Sequence, residues 1–337
     1  MIRIFDARQT VHAPARELHN GSWSDYAETP ARADAIAASL GETSPARDFG
    51  IAPISAVHDG EYLGFLERAH AEWRAAGREG DAIGYAWPVV GRRPLKLDRI
   101  DAALGRFSFD AATPIAQGTW QGAYWSAQTA LTALDDMLAQ NSSRAFALCR
   151  PPGHHAGADY CGGYCYLNNA AIVAEEATAR GDGPVAILDI DYHHGNGTQD
   201  IFYDRGDIFF ASIHADPATD FPFYWGHADE CGAGDGRGAT LNLPLSRGCD
   251  LDGYRPALDT ALKAIADWGA RFLVVSFGAD IHADDPISHF ALQTGDFRAL
   301  GARIGEVGLP SLIVMEGGYA VDALGANVKR FLDGIGG

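Results

Sequence analysis

Short, unbroken apolar segments that alternate with helical segments are the strongest constraint on the fold of this chain. The apolar segments lie at residues 144–149, 185–190, 208–213, 272–277 and 311–316. Segments with a helical spacing of apolar residues lie at 118–138, 168–181, 257–269 and 297–308. Apolar segments this short are typical of strands that are buried on both faces of a sheet. The alternation therefore predicts an α/β fold with a central parallel β-sheet and helices on both faces.

The chain of 337 residues shows no internal repeat and no low-complexity linker that would divide it. We therefore expect a single domain over residues 1–337. The segment at about 1–115 is rich in Ala, Arg and Pro and contains a helical pattern at 61–76. We expect this N-terminal segment to pack on the sheet as part of the same domain.

Acidic residues outnumber basic ones, with 44 Asp and Glu against 26 Lys and Arg, which gives a net charge of −18. This balance argues against a nucleic-acid partner, because a phosphate backbone requires a basic surface. It is compatible with a cationic small molecule, which a negative field concentrates. The five cysteines form no C-x-x-C pair, and no apolar run approaches the roughly 18 residues that span a bilayer. We expect a cytoplasmic protein with no membrane partner.

Side chains suited to catalysis or metal binding follow four of the predicted strands. In parallel sheets the carboxyl ends of the strands meet at one edge, and ligands bind there. Such residues at four strand ends are difficult to explain as ordinary turn residues. We therefore expect a functional site at this edge. The residues concerned are His154 and His155, Asp191 and His193, Asp280, and Tyr319.

Asp191 and His193 are separated by one residue, so their side chains point the same way in an extended segment. Asp280 adds a second carboxylate from the end of another strand. Three protein ligands with an open position are the arrangement of a catalytic metal site. Nitrogen and oxygen ligands without thiolate suit Zn²⁺, and Fe²⁺ or Co²⁺ would also fit. The sequence therefore predicts a site for one catalytic Zn²⁺.

His154 and His155 follow a Pro-Pro-Gly turn, which can direct both rings toward the metal site. Histidine beside an activated water is a suitable general base and acid. Each ring needs a partner on its second nitrogen, and Asp189 and Asn196 are the candidates. Tyr319 follows two glycines that free its backbone, so its hydroxyl can stabilise the oxyanion of a reacting carbonyl.

Longer motifs resemble the histone deacetylase family, and more closely its bacterial acetylpolyamine amidohydrolase branch. The motifs are RPPGHHAG at 150–157, GGYCYLNNAA at 162–171, LDIDYHHGNGTQDIFY at 188–203, SFGADIHADDP at 276–286 and MEGGY at 315–319. The resemblance implies the arginase–deacetylase fold and a Zn²⁺-dependent deacetylase. Its substrate would be an N-acetylated amine of the acetylpolyamine type, hydrolysed to acetate and a free amine. The alternative substrates are an acetyl-lysine side chain in a peptide or protein and another small N-acyl amine.

The resemblance also implies a role for each matching residue. The zinc ligands would be Asp191, His193 and Asp280, and the acid/base pair His154 and His155, supported by Asp189 and Asn196. Tyr319 would polarise the carbonyl, Tyr164 and Phe221 would line the acyl tunnel, and Arg32 would belong to an internal acetate-release channel. The family binds structural K⁺, and the matching residues are Asp189, Asp191, His193, Ser212 and Ile213 for one ion and Phe202, Arg205 and Ile208 for a second.

One loop departs from the polyamine branch, in which an acidic residue supplied across a dimer contacts the ammonium groups of the substrate. The loop at 107–120 has Asp110 as its only carboxylate, and Ala112 stands at the best-matching position. His282, which follows the ligand Asp280 closely, could instead shape or contact the substrate. We expect a homodimer, in which Trp73 and Trp87 of the N-terminal segment could contribute to the contact.

Two other functions are weighed against the deacetylase. A binuclear-manganese ureohydrolase shares the sheet and the Asp-x-His strand end, but it needs further carboxylates where this chain has Gly195 and Gly278. A catalytically silent protein that binds acylated ligands would be expected to lack Tyr319 or one of the paired histidines, and this chain retains them. Metal stoichiometry and product release would distinguish these alternatives.

Overall fold

A seven-stranded parallel sheet forms the centre of the computed structural model, which describes residues 1–88 and 98–336. The order across the sheet is β1-β4-β9-β8-β5-β6-β7, and every neighbouring pair is parallel. Strands β2 and β3 form a separate antiparallel hairpin. The strands are β1 Ile2–Ile4, β2 Arg16–His19, β3 Ser22–Asp25, β4 Arg144–Ala147, β5 Val185–Asp189, β6 Ile208–Ala215, β7 Thr240–Leu245, β8 Phe272–Phe277 and β9 Ser311–Met315.

Helices cover both faces of the sheet. They are α1 Pro30–Leu40, α2 Ala52–Ser55, α3 Gly60–Ala75, α4 Ile100–Arg106, α5 Thr119–Ala139, α6 Asn169–Arg180, α7 Asn196–Phe202, α8 Leu251–Trp268, α9 Asp296–Gly305 and α10 Val321–Gly334. Side chains alternate along each strand, so Val274 of β8 packs with α3, α5 and α6 on one face. Its neighbours Leu273 and Val275 pack with α1, α8, α9 and α10 on the other. The predicted α/β class, with helices on both faces of a parallel sheet, is confirmed.

The five predicted strands are present, and two edge strands were not predicted. The edge strand β1 has only three residues, one of them Arg3, so it is too short to show a pattern. The opposite edge strand β7 contains Pro244 and is only partly buried, so it has no continuous apolar run. Both differences follow from edge position, where a strand needs fewer apolar residues and can accommodate proline.

Helix α8 begins at Leu251, six residues before the predicted start at 257. Its N-terminus is capped by Asp250, whose Oδ1 accepts a hydrogen bond from the amide of Gly253 at 3.0 Å. Pro256 lies in the second turn, which is why the sequence pattern favoured a later start. The helix tolerates this residue because capping and a strongly apolar face stabilise its first turns.

The N-terminal segment contributes to the same sheet and to its outer layers. Strand β1 pairs with β4, and α1 packs on α10. Trp73 is packed against the core on the α3 side, whereas Trp87 is 39% exposed. Among the helices in the described ranges, none has the length and apolarity needed to cross a bilayer.

Strand order explains why residues distant in the chain meet. Strands β4, β9, β8 and β5 are consecutive in the sheet, and their registers align Ala147 with Val314, Phe277 with Met315, and Asp189 with Ser276. The segments that follow these four strands therefore leave the sheet side by side. This brings the polar strand-end residues to one edge, as expected for a parallel sheet.

Candidate metal and catalytic site

Asp191, His193 and Asp280 converge at this edge of the sheet. Their candidate ligand atoms all lie within 4.8 Å of one another. His193 Nδ1 is 3.1 Å from Asp280 Oδ2 and 3.4 Å from Asp191 Oδ1. Both carboxylates are fully buried, and the His193 side chain is only 11% exposed. The three residues thus present one nitrogen and two carboxylates to a single point.

Backbone amides hold the two carboxylates in this orientation. Asp191 Oδ2 accepts from the amide of Gly317 at 2.8 Å, and Asp280 Oδ1 accepts from the amide of Tyr192 at 2.9 Å. Burial, together with the neighbouring Asp191 carboxylate, raises the pKa of Asp280 to about 7. Two adjacent buried carboxylates are costly without a counter-charge. A divalent cation would supply that charge, so the donor set fits the predicted Zn²⁺.

Glycines occupy the positions where a second metal would need ligands. A Cβ atom at Gly195 would lie 2.2 Å from Asp189 Oδ2, and one at Gly278 would lie 2.1 Å from Asp191 Oδ2. No side chain can be added at either position without displacing a carboxylate of the site. The space argues for one metal ion and against the binuclear alternative.

His154 and His155 lie side by side, with ring centroids 4.0 Å apart. His154 Nδ1 is 3.0 Å from Asp189 Oδ2, and His155 Nδ1 is 2.7 Å from Asn196 Oδ1. These are the partners that the sequence analysis proposed. The Pro-Pro-Gly turn and the start of α7 therefore meet behind the two rings.

The two histidines have opposite electrostatic environments. Burial alone would lower the pKa of His154, but the Asp191 and Asp189 carboxylates outweigh it and raise that pKa to about 10. Burial lowers the pKa of His155 well below its usual value, and repulsion from His154 and His193 lowers it further. A cationic His154 beside a neutral His155 separates electrostatic stabilisation from proton transfer.

Tyr319 lies at the same edge of the sheet, in the segment that follows β9. Its backbone amide donates to Asp285 Oδ2 at 2.6 Å, and its ring lies 4.8 Å from the Arg32 guanidinium carbon. Burial raises the pKa of Tyr319 well above its usual value, so its hydroxyl remains a proton donor. Gly318 has φ +124°, a conformation that favours glycine, and this allows the turn that presents Tyr319.

A cavity of about 450 Å³ leads to this site. Tyr164 and Phe221 line it, together with His155, His193 and Tyr319. The Phe221 ring lies edge-on to His155 at 5.2 Å, and the Tyr164 ring lies edge-on to Tyr319 at 5.5 Å. Aromatic walls around a polar floor suit a narrow substrate with an apolar stem. The residues predicted to line the tunnel thus lie next to the candidate metal ligand His193.

Arg32 and His282 lie outside the lining of this cavity. Arg32 is buried behind Tyr319, where Nε donates to the carbonyl of Gly318 and Nη1 to Glu28, both at 2.6 Å. The imidazole of His282 is buried, with Nε2 3.3 Å from Thr294 Oγ1. The ring of His282 is therefore used within its own loop, and any effect on the substrate would be through the shape of that loop.

Both carboxylates that line the described part of the cavity already have partners. Asp110 accepts from the amides of Gly163 at 2.6 Å and Ala112 at 3.0 Å. Asp220 accepts from Arg247 Nε at 2.9 Å and from the Tyr192 hydroxyl at 2.8 Å. Ala112 itself lines the cavity, as its position in the departing loop suggested.

The residues matched to the two K⁺ sites form two groups along β6. Asp189 is in register with Ser212 on the adjacent strand, close to Ile213, Asp191 and His193. The second group surrounds the end of α7 and the start of β6, where the amide of Arg205 donates to the carbonyl of Phe202 at 3.1 Å and β6 starts at Ile208.

Glu316 is a site residue to which the sequence analysis gave no role. It is fully buried at the end of β9, where Oε2 accepts from the amides of Gly153 at 2.7 Å and His154 at 3.1 Å. Its Oε1 accepts from Ser276 Oγ at 2.7 Å. Glu316 therefore fixes the turn that carries the paired histidines. A charged residue directly after an apolar strand was the available signal.

Glu17 and Asp285 were also not predicted. Glu17 is buried beside the tunnel and accepts from the Tyr164 hydroxyl at 3.0 Å. Asp285 orients the backbone of Tyr319. Glu17 follows no predicted strand, and Asp285 lies within the motif at 276–286. Each acts on a segment distant in the chain, which a local pattern does not show.

A second trio, His154, Cys165 and Glu316, also brings possible ligand atoms together. Burial raises the pKa of the Cys165 thiol well above its usual value, which disfavours the thiolate that binds metals. Both Glu316 oxygens already accept hydrogen bonds. This trio is therefore a structural cluster behind the site.

Replacement of Glu316 tests its role in holding the histidine turn. Glu316→Ala leaves two buried amides without an acceptor, and we expect the free energy of unfolding to fall by about 1–3 kcal/mol. Glu316→Gln can keep its oxygen on these amides and donate to Ser276, so we expect a smaller loss. Urea denaturation measures both. Equal stability of Glu316→Ala and the parent protein would contradict this role.

Comparison with known proteins is consistent with this geometry. Residues 26–335 match the histone deacetylase domain. Acetylpolyamine amidohydrolase 2 of Pseudomonas aeruginosa is 46% identical over 100% of this chain and 99% of its own length. The acetylpolyamine amidohydrolase of Mycoplana ramosa is 44% identical over 99% of both chains. A crystal structure of acetylpolyamine aminohydrolase from Burkholderia pseudomallei has a TM-score of 0.96 at 41% identity, and the match covers 100% of this chain and 98% of that one. The predicted family and fold are confirmed, and the chain belongs to the histone deacetylase family.

Proposed function

We propose that this protein is a zinc-dependent amidohydrolase that removes the acetyl group from an acetylpolyamine-type amine, giving acetate and the free amine. The single observation that carries the proposal is the Asp191, His193 and Asp280 cluster at the end of an aromatic-lined cavity, next to His155 and Tyr319. The names of relatives that are 46% and 44% identical over nearly their whole length support the same activity.

The proposed reaction needs a metal site and a general base, and different residues supply them. Asp191, His193 and Asp280 would hold Zn²⁺, which when bound polarises the carbonyl and lowers the pKa of water. The Nε2 atom of a neutral His155 takes the proton of the attacking water and returns it to the leaving amine.

Other groups stabilise the charge that develops on the substrate. The Tyr319 hydroxyl donates a hydrogen bond to the carbonyl oxygen as it becomes an oxyanion. A cationic His154, held by Asp189, adds favourable electrostatics behind His155. Tyr164 and Phe221 surround the alkyl stem and keep bulk water away from the amide.

The cavity offers no unpaired carboxylate among its described residues to bind the distal ammonium group of the substrate. Asp110 and Asp220 accept hydrogen bonds within the protein, and Ala112 offers no charge. The net charge of −18 attracts a polycation to the protein in general. An acetyl-lysine peptide remains the second candidate, because the same cavity accepts an acetylated butylamine stem.

Acetate release from a substrate panel tests the proposal. Zinc-loaded protein is given acetylputrescine, acetylspermine, an acetyl-lysine peptide and an uncharged N-alkylacetamide. We expect the polyamines to have the highest kcat/KM. Preference for the peptide would shift the substrate class to acetyl-lysine, and absence of acetate from every compound would contradict the enzymatic function and favour a silent binder.

Removal of a ligand tests the zinc site. Asp280→Ala removes one of three protein ligands, so we expect the purified variant to lose most of its zinc. Elemental analysis gives the zinc content per chain, with one equivalent expected for the parent protein. Asp284→Ala, which changes an exposed carboxylate in the same loop, is the matched control. Full zinc occupancy in Asp280→Ala would show that Asp280 is not a ligand.

Removal of the Tyr319 hydroxyl tests its role in the reaction. Tyr319→Phe loses one oxyanion donor, and we expect kcat to fall by about 10²–10³-fold. Tyr224→Phe removes a hydroxyl from a residue that is 82% exposed and serves as the control. Steady-state kinetics on the best substrate of the panel gives the ratio. A kcat within about twofold of the parent value in Tyr319→Phe is the outcome that the mechanism does not allow.

We further propose two structural K⁺ ions, one among Asp189, Asp191, His193, Ser212 and Ile213 and one among Phe202, Arg205 and Ile208. Ions at these positions would tie β6 to the catalytic turn and to α7. Exchange of K⁺ for a large organic cation is then expected to lower the Tm, measured by calorimetry. An unchanged Tm would contradict the proposal.

We also propose a cytoplasmic homodimer. The partly exposed Trp87 and the charge-free Ala112 support it, since a second copy could complete the cavity mouth. Light scattering gives the mass in solution, and a monomeric mass of 35.9 kDa would remove this part of the proposal.

A further inference from the structure

A chain of hydrogen bonds leads from His155 to a carboxylate on the protein surface. His155 Nδ1 lies 2.7 Å from Asn196 Oδ1. The side-chain amide of Asn196 donates to the Tyr160 hydroxyl at 3.2 Å, and that hydroxyl donates to Asp200 Oδ2 at 2.6 Å. Asp200 is exposed, whereas Asn196 and His155 are buried. The proposed reaction gives no role to Tyr160 or Asp200.

Two segments of the protein supply the groups of this hydrogen-bond series. Asn196 and Asp200 are four residues apart on α7, so they lie on the same side of the helix and the Tyr160 hydroxyl reaches both. The Tyr160 ring lies edge-on to Phe109 at 5.6 Å. A Cβ atom at Gly157 would lie 2.3 Å from this ring, so the backbone of the histidine turn packs directly against it.

The geometry sets the direction of this series of hydrogen bonds. The Tyr160 hydroxyl has a single proton, which it donates to Asp200 Oδ2. The Tyr160 oxygen is then the nearer acceptor for the NH₂ group of Asn196, at 3.2 Å, and the backbone carbonyl of His155 is a second acceptor at 3.4 Å. With its NH₂ group held on this side, Asn196 turns its oxygen toward the His155 ring. This places the ring proton on Nδ1 and leaves Nε2 free to act as a base.

An asparagine beside a histidine ring needs a second contact to fix its orientation, whereas a carboxylate does not. Both oxygens of Asp189 are acceptors, so His154 finds an acceptor in either orientation. The amide of Asn196 can rotate to present NH₂ instead of oxygen. The rotated amide would donate to Nδ1 of His155 and move the ring proton to Nε2, where it would block proton uptake.

We propose that Tyr160 and Asp200 are positioning residues that lock the Asn196 amide, and through it select the tautomer of His155 that acts as the base. The inference rests on the proposed role of His155 in the reaction. It extends the catalytic machinery to a carboxylate at the surface, three hydrogen bonds away from the imidazole.

Tyr160→Phe is the first test, because it keeps the packed ring and removes the hydroxyl. We expect kcat to fall about tenfold while KM stays nearly constant, since a fraction of the molecules would hold the unproductive tautomer. Asp200→Ala should reduce kcat in the same way, and Asp200→Asn, which retains an acceptor oxygen, should recover most of it. Asp159→Asn removes an equal charge beside Tyr160 and should leave kcat unchanged. Zinc content is measured for every variant.

A second background separates positioning from a merely structural role. In Asn196→Asp the partner of His155 only accepts, so the tautomer no longer depends on Tyr160. We expect Tyr160→Phe to change kcat by less than about twofold in this background. A loss as large as in the parent background would overturn the proposal, because it would show that the hydroxyl acts independently of the amide orientation.

Imidazole ¹H–¹⁵N spectra provide a readout other than turnover. His155 should be protonated on Nδ1 in the parent protein and partly on Nε2 in Tyr160→Phe. An unchanged tautomer, or an unchanged kcat in Tyr160→Phe together with an inactive His155→Ala, would overturn the inference and leave the deacetylase function intact. Full activity of His155→Ala would instead contradict the proposed base.

Discussion

Burial of several carboxylates at one edge of the sheet is the constraint on which the catalytic structure depends. Asp189, Asp191, Asp280 and Glu316 all have no exposed surface. Charges buried in this way are tolerated only when they are paired or hydrogen-bonded. Backbone amides of the strand-end loops supply many of these bonds, including that of Gly317 to Asp191. The loops are therefore held by the same groups that form the site.

The carboxylates also leave no room for side chains at three neighbouring positions, which are glycine. At Gly195 and Gly278 a Cβ atom would lie within about 2.2 Å of a carboxylate oxygen. At Gly317 it would lie 2.6 Å from both Asp191 Oδ2 and Asp280 Oδ2. Glycine at these positions permits close approach of three strand ends. The consequence is a compact cluster of candidate metal ligands, next to a pair of histidines in unequal environments.

Much of this arrangement could be predicted from the sequence, because the signals are local. Buried parallel strands appear as continuous apolar runs, and the residues after them share one edge whatever the strand order is. That rule places Asp191, His193 and Asp280 at one edge, and the pairing of β5 with β8 brings them together. Edge strands β1 and β7 do not show a continuous apolar run, since one is very short and the other contains Pro244.

Local sequence patterns are sufficient to predict the fold class, the residue types at the strand ends and the family that the motifs indicate. The contacts between these residues and distant segments become visible only in the folded chain. Glu316 holds a turn 163 residues earlier in the chain, and Glu17 holds Tyr164 across 147 residues. It also placed His282 within its own loop instead of the cavity. Strand patterns depend on neighbours in the chain, whereas buried polar contacts depend on which loops the completed sheet brings together.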